Sequence, residues 1–234
     1  MKTVHVVQHT SAEYLGLLED HLEGRGIRFR YHRPFAAKGA LPAADALADG
    51  LILLGGGPWG SAGSSRDLPT LEPEVALART CLQRAWPLIG IGLGAQIVAL
   101  AAGARSQPAA LEFSVSTATR ASPGALDGYL PESYPLAIYM RDRPGLPDSA
   151  QVLARDARGW PALWQLGARA LGFAGHPGIK LAIVEDLAME FDESPPDLAH
   201  ELARLRAAQR AIEDALVPIM TGVVRLAGWM DHLD

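Results

Sequence analysis

The stretch PLIGIGLGAQIVALAAGA, Pro87 to Ala104, decides how this sequence folds. Pro87 to Ile91 is a short apolar run of the strand type. It ends in Gly90-Ile91-Gly92-Leu93-Gly94, and a helical apolar pattern begins at Ala95. A strand that turns through glycines straight into a helix is the shape of a nucleophile elbow, where a reactive side chain stands at the tip of the turn. Here the tip is Gly92, which carries no side chain. The sequence therefore predicts the turn without the reactive group.

The segments upstream alternate between strand and helix. Thr3 to Gln8 is β-branched and apolar and reads as a buried strand. Ser11 is placed to cap a helix from about Ala12 to Glu23, with Leu15, Leu17, Leu18 and Leu22 on its apolar face and Gly24 to Gly26 ending it. Ile27 to Arg33 alternates as a second strand. Leu51 to Leu54 is a third and runs into Gly55-Gly56-Gly57-Pro58. Glu72 to Arg84 reads as a helix, and Leu88 to Ile91 is the fourth strand. Strands and helices in this alternation predict a parallel sheet covered on both faces.

Downstream of Gly103 the segments LEFSVSTATR, PLAIYMR, AQVLARD, PALWQLG and ALGFAGH are short and strand-like. They predict hairpins that extend the sheet at one edge. The pattern is helical again from Ile179 through Phe191. Pro195-Pro196 breaks the chain. Leu198, Leu202, Leu205, Ile212 and Leu216 then mark a long amphipathic helix, expected to bend at Pro218 and continue to about Met230. Glu201, Arg204, Arg206, Arg210, Glu213 and Asp214 are assigned to its polar face. A second apolar group follows, from Ile219 to Trp229. The expected organisation is one domain over 1–194 and a helical extension over 195–234, packed on that domain or on a partner.

Composition narrows the function. The chain has 234 residues, 49% of them hydrophobic, and a formal net charge of −5. With no basic block, nucleic acid is not an expected partner. No apolar run reaches the roughly 18 residues needed to span a bilayer, so no membrane association is expected. MKTVHVVQHT reads as a first strand rather than a signal peptide, and a cytoplasmic location is expected. One cysteine, Cys81, excludes an internal disulfide and a cysteine-based metal site. No metal and no cofactor are expected.

Three motifs, in order and at consistent spacing, resemble those of the class I glutamine amidotransferases over about Val4 to Leu187. LILLGGGPWG resembles that family's glycine-rich oxyanion loop. PLIGIGLGAQIVALAAGA is similar to its elbow, whose pattern is Gly-Ile-Cys-Leu-Gly-x-Gln. LGFAGHPGIK resembles its late His-Pro-Glu motif. The resemblance implies a flavodoxin-like, doubly wound, mostly parallel sheet with an antiparallel edge extension. It also implies a Cys-His-Glu triad in which the thiolate attacks a glutamine side-chain amide, histidine shuttles the proton and the acid orients the histidine.

Carried over to this chain, the match is partial. The cysteine position is Gly92 and the glutamate position is Gly178; only His176 remains of the triad. The oxyanion donors implied are the backbone N–H groups of Gly57 and Leu93, with Gly56 in the same loop. Gln96, implied to hold substrate, is present. Where the family often has Trp-His-Gly-Asp, this chain has Tyr139-Met140-Arg141-Asp142. Other residues considered as replacements are Ser61, Ser64 and Ser65 after the glycine loop, Cys81 on the preceding helix, and Glu185 or Asp186 as an orienting acid. His5, His9, His21, His32, His200 and His232 show no metal-ligand spacing and read as exposed or core-edge residues.

Two functions stay open at this point. One is a pseudoenzyme, a binding or partner subunit that assembles as a homo-oligomer or hetero-complex through the C-terminal helices. The other is a hydrolase or amidotransferase for glutamine or a γ-glutamyl amide, present in a nucleophile-less form. A glutamine or γ-glutamyl ligand is expected in either.

Overall fold

The computed structural model describes residues 2–230. Along the chain the strands are β1 (Thr3–Val7), β2 (Arg28–His32), β3 (Leu51–Leu53), β4 (Leu88–Ile91), β5 (Ser106–Gln107), β6 (Glu112–Arg120), β7 (Ser133–Met140), β8 (Arg143–Pro144), β9 (Gln151–Asp156), β10 (Pro161–Leu166) and β11 (Ala170–Phe173). The helices are α1 (Leu18–Glu23), α2 (Leu71–Gln83), α3 (Leu93–Ala101), α4 (Leu181–Glu190) and α5 (Leu198–Ala227).

Nine strands form one sheet in the order β2-β1-β3-β4-β11-β10-β9-β6-β7. The pairs from β2 to β11 are parallel, and those from β11 to β7 are antiparallel. Two antiparallel reversals restore the original direction, so β9 and β7 run with the parallel set and the sheet is mostly parallel in direction. Burial follows from position. β3, β4 and β11 are buried at every residue, as strands covered on both faces must be, while β6 alternates buried and partly exposed residues. β2, at the edge, has no fully buried residue.

The chain reverses its direction of travel across the sheet between β1 and β3, the topological switch point of such folds. The segments after β1, β3, β4 and β11 therefore converge at one carboxyl edge. These are Gln8–Leu17, Gly55–Pro58, Gly92–Gln96 and Ala174–Gly178.

Two helix boundaries differ from the sequence expectation. The first helix begins at Leu18, with Leu17 as an N-cap that makes no side-chain bond; Ser11 caps nothing. Residues 11–17 instead run as a loop over the carboxyl edge. Their backbone groups are satisfied by long-range partners: Ser11 and Ala12 N–H by Glu190, Leu15 N–H by the Tyr31 hydroxyl, and Leu17 N–H by the Gly178 carbonyl at 2.8 Å. Gly16 adopts φ +61°, which a continuing right-handed helix cannot hold. At the other end, α5 stops at Ala227, where Gly228 takes the left-handed capping conformation. Pro218 lies inside α5.

The C-terminal stripe is covered by the chain itself. Leu205 and Ile212 pack with Phe113, Val115, Ile183 and Leu187 from β6 and α4. Leu216, Ile219, Met220, Val223 and Val224 join the main core. Trp229 donates its indole N–H to the Asp49 carbonyl at 2.6 Å and pins the helix end next to β3. Glu201, assigned to the polar face by its spacing, is buried and accepts the Val115 N–H at 2.6 Å. These contacts remove the reason for reserving the stripe for another subunit. No described helix is long and apolar enough to cross a membrane. Leu216 is fully buried, so Leu216→Ala is predicted to cost about 2–5 kcal/mol, read from urea unfolding midpoints.

Candidate active site

The elbow forms as the sequence predicts. Gly92 is the N-cap of α3 at φ 56° and ψ −116°, between the end of β4 and the first helical turn. The turn is tight because α3 starts almost against β3: a Cβ on Gly94 would overlap the Leu53 carbonyl. Space does not dictate glycine at position 92. A Cβ there would meet only the Gly55 Cα at 3.4 Å and the Tyr139 carbonyl oxygen at 3.8 Å. Its backbone angle is the cost, since φ +56° strains any side-chain-bearing residue and not glycine. The elbow thus has room for a nucleophile and lacks one.

The glycine loop after β3 faces this turn. Gly56 packs directly under Leu93, whose Cδ2 would overlap a Cβ at that position. The two N–H groups implied as oxyanion donors differ in state. Leu93 N–H, at the first position of α3, has no acceptor among the described residues. Gly57 N–H donates to Glu13 Oε2 at 3.0 Å. The Glu13 carboxyl lies directly against the Gly55 Cα, in the space a side chain there would take. Glu13 is buried, and burial raises its pKa to about 7 against the lowering effect of the Gly57 N–H.

His9 holds the other end of the same loop. Its Nδ1 bonds the Gly55 carbonyl at 2.9 Å and its Nε2 bonds Glu74 at 2.7 Å, with both side chains fully buried. Burial works against the imidazolium, but the Glu74 carboxylate prevails and raises the His9 pKa. With acceptors on both nitrogens, the protonated ring is the form that satisfies both bonds. His9 is therefore part of a buried ion pair, not the exposed or core-edge residue expected.

His176 is at the edge, as predicted, but is bound on both nitrogens. Its Nδ1 accepts the Gly178 N–H at 3.2 Å, which fixes the tautomer. Nε2 then carries the proton and donates to the Tyr14 carbonyl at 2.8 Å. Neither nitrogen has a lone pair left to receive a proton from a nucleophile. Burial lowers its pKa to about 4. A side chain at Gly178 would have to displace the end of Leu18. A Cβ there would overlap Leu18 Cδ1 and stand 3.2 Å from Leu216 Cδ2.

The remaining candidates have other work. Gln96 is fully buried; its Oε1 accepts from Ser61 Oγ and its Nε2 donates to the Arg141 carbonyl at 2.6 Å. Ser61 is thus a buried structural hydroxyl, which also bonds Ser106 Oγ at 2.6 Å. Ser64 and Ser65 are exposed in the following turn. Cys81 is buried in the core on α2, and burial pushes its thiol up to about 12. Glu185 pairs with Arg206 at 3.4 Å on the surface, and Asp186 is exposed, so neither orients His176. His5 and His32 stack and share a hydrogen bond of 2.8 Å between β1 and β2. His21 bonds Arg25, and His200 is exposed. His232 lies outside the described residues.

Residues given no role from the sequence complete the edge. Asp142 accepts the N–H groups of Ser61, Ala62 and Ala109. Arg141 donates to the Pro58 carbonyl at 2.7 Å and pairs with Glu193, which Arg66 also reaches at 3.3 Å. Glu13 carried one local signal. Thr10-x-x-Glu13 matches a capping box, and Thr10 Oγ1 does accept the Glu13 N–H at 3.0 Å. The box closes a loop here and starts no helix.

An elbow, a glycine loop and a late histidine at the carboxyl edge of such a sheet define the architecture of the class I glutamine amidotransferases. The comparisons agree. The glutamine amidotransferase-like protein YfeJ of Salmonella typhimurium is 28% identical over 201 residues, 83% of each chain. A glutamine amidotransferase structure from Methylobacillus flagellatus superposes with a TM-score of 0.81 at 22% identity, covering 100% of this chain and 98% of that one. One from Thermotoga maritima gives 0.79 at 21% identity, covering 97% and 98%. No protein-family model matches the sequence. The chain has the fold of the class I glutamine amidotransferases and is similar in sequence to a glutamine amidotransferase-like protein.

The two buried groups oppose each other in pH dependence. An unfolded histidine binds a proton near pH 6.5, whereas folded His176 waits until about 4. Its contribution to stability is therefore lost as pH falls through that window. Folded Glu13 keeps its proton up to about 7, and an unfolded glutamate loses it near 4.5. Its contribution is lost as pH rises through that range. Urea midpoints measured from pH 4 to 7 are predicted to fall more steeply on acidification in Glu13→Gln than in the parent. In His176→Gln, the midpoint's acid-side loss is predicted to shrink.

Proposed function

We propose that this chain is an amidotransferase-fold pseudoenzyme, a binding or partner subunit that carries out no cysteine-based amide hydrolysis. The observation that carries this reading is the crowding at Gly178. Loss of the nucleophile alone would leave the acid position intact. Here the tip of Leu18 lies where a Cβ at 178 would go and Leu216 Cδ2 stands 3.2 Å from it, so an acid there requires Leu18 to move. The bonds on both His176 nitrogens support the same reading, because a histidine so bound is no general base. Among the described residues considered as replacements, Ser61 and Cys81 are engaged or buried away from the elbow. A partner, in this reading, meets the outer faces of α4 and α5, where Met189 and Val217 are exposed.

One observation favours the second reading, a hydrolase of glutamine or a γ-glutamyl amide seen without its nucleophile. The elbow has room for a Cβ at Gly92. The two readings separate in one assay. Ammonia release from glutamine is predicted to stay at background for the parent chain and for Gly92→Cys. Adding Gly178→Glu is predicted to leave it there while lowering stability by about 1–3 kcal/mol through overpacking. Sustained turnover by Gly92→Cys alone would establish the hydrolase reading.

A further inference from the structure

The loop of residues 10–17 does more than connect β1 to α1. It crosses the carboxyl edge and is tied down along its length. Glu190 of α4 holds Ser11 and Ala12, the Tyr31 hydroxyl of β2 holds Leu15, and His176 and Gly178 hold Tyr14 and Leu17. At its centre the Glu13 carboxyl sits on the Gly57 N–H and against the Gly55 Cα. A Cβ on Gly92 would stand 3.4 Å from that same Gly55 Cα. A carboxyl group from the chain itself thus lies in the glycine loop that faces the elbow, on one of the two N–H groups that an oxygen ligand would use.

We propose that Glu13 is an internal occupant of this site and that the loop of residues 10–17 is an autoinhibitory strap. The assignment of Gly57 as a ligand-facing donor rests on the amidotransferase-like reading. In the closed state an outside carboxylate or amide cannot reach the Gly57 N–H without displacing Glu13. It competes with an intramolecular group whose effective concentration is in the millimolar range or higher. The charged and titratable groups facing Glu13 are His9 on its own segment, Glu190 from α4 and Tyr139 from β7. Tyr139 contributes a buried hydroxyl with no hydrogen-bond partner among the described residues.

A thiol introduced by Gly92→Cys reports on the strap without any need for turnover. Its labelling by iodoacetamide is followed across pH, with peptide mapping to separate it from buried Cys81. In Gly92→Cys alone, the thiol stands next to Gly55 with the strap closed over the glycine loop, so labelling is expected to be slow and the apparent thiol pKa high. Adding Glu13→Gln keeps an acceptor for Gly57 but removes the charge, and is expected to lower the labelling midpoint by about one pH unit. Adding Glu13→Ala empties the site, and is expected to speed labelling at pH 7 by about tenfold or more. Equal rates and midpoints in all three chains would overturn the proposal. A second measurement uses the unsubstituted chain. The Gly57 amide resonance should titrate between pH 5 and 8 and lose that titration in Glu13→Gln; a Gly57 resonance indifferent to pH would also overturn it. Neither measurement reads glutamine hydrolysis, so failure here is distinct from failure of the pseudoenzyme reading.

Discussion

The constraint on which the carboxyl edge depends is the close approach of α3 to β3. Gly94 lies so near the Leu53 carbonyl that no side chain fits between them, and its N–H bonds the Leu54 carbonyl at 3.0 Å. That approach fixes where the elbow turns. It also sets the glycine loop opposite Leu93, because Gly56 must pass beneath the Leu93 side chain. Interiors packed at crystal-like density transmit such a fit to their neighbours. The elbow is required whether or not a nucleophile stands on it, because helix, strand and loop are packed through it.

Buried polar groups make up the second layer of the edge, and each is held by a partner from elsewhere in the chain. His9 and Glu74 pair in full burial, with Thr70 donating to the second Glu74 oxygen at 2.6 Å. An unpaired charge at that depth would be expensive, so neither residue is replaceable alone. The pair anchors the Gly55 carbonyl while Glu13 anchors the Gly57 N–H, and the glycine loop is gripped at both ends. A loop so held is preorganised, and the group it is preorganised around belongs to the chain.

How much of this could be read in the sequence depends on the range of the interaction. The elbow, the glycine loop and the late histidine were legible because each is a local turn with its own residue chemistry. The parallel strands were legible from apolar runs, and the antiparallel extension from short segments between turns. The start of α1 was placed too early because Ser11 ahead of a leucine-rich run has the local form of a helix start, while the forces that decide it come from Glu190, Tyr31 and Gly178. The His9–Glu74 pair spans 65 residues and leaves no local pattern. For α5, periodicity shows that a stripe is buried without saying against what. Glu201 was placed on the polar face because its spacing fits, yet a backbone N–H of β6 draws it inside.

The burial of α5 bears on the site as well as on the fold. Leu216 reaches Gly178 from the same stripe that covers β7, so the helix that completes the core also borders the position an acid would occupy. Removing Leu216 to make room there would open a core cavity, and restoring a glutamate beside it would overpack the core. A triad built here would thus require change in α1, α5 and the turn after β11, which are packed on one another. Reactivity at Gly92 is one substitution away, whereas the histidine and acid functions are separated from it by the packing of the whole edge. That asymmetry separates the room at Gly92, which is a local property of one turn, from the bonding of His176 and the packing at Gly178, which draw on several elements of the edge.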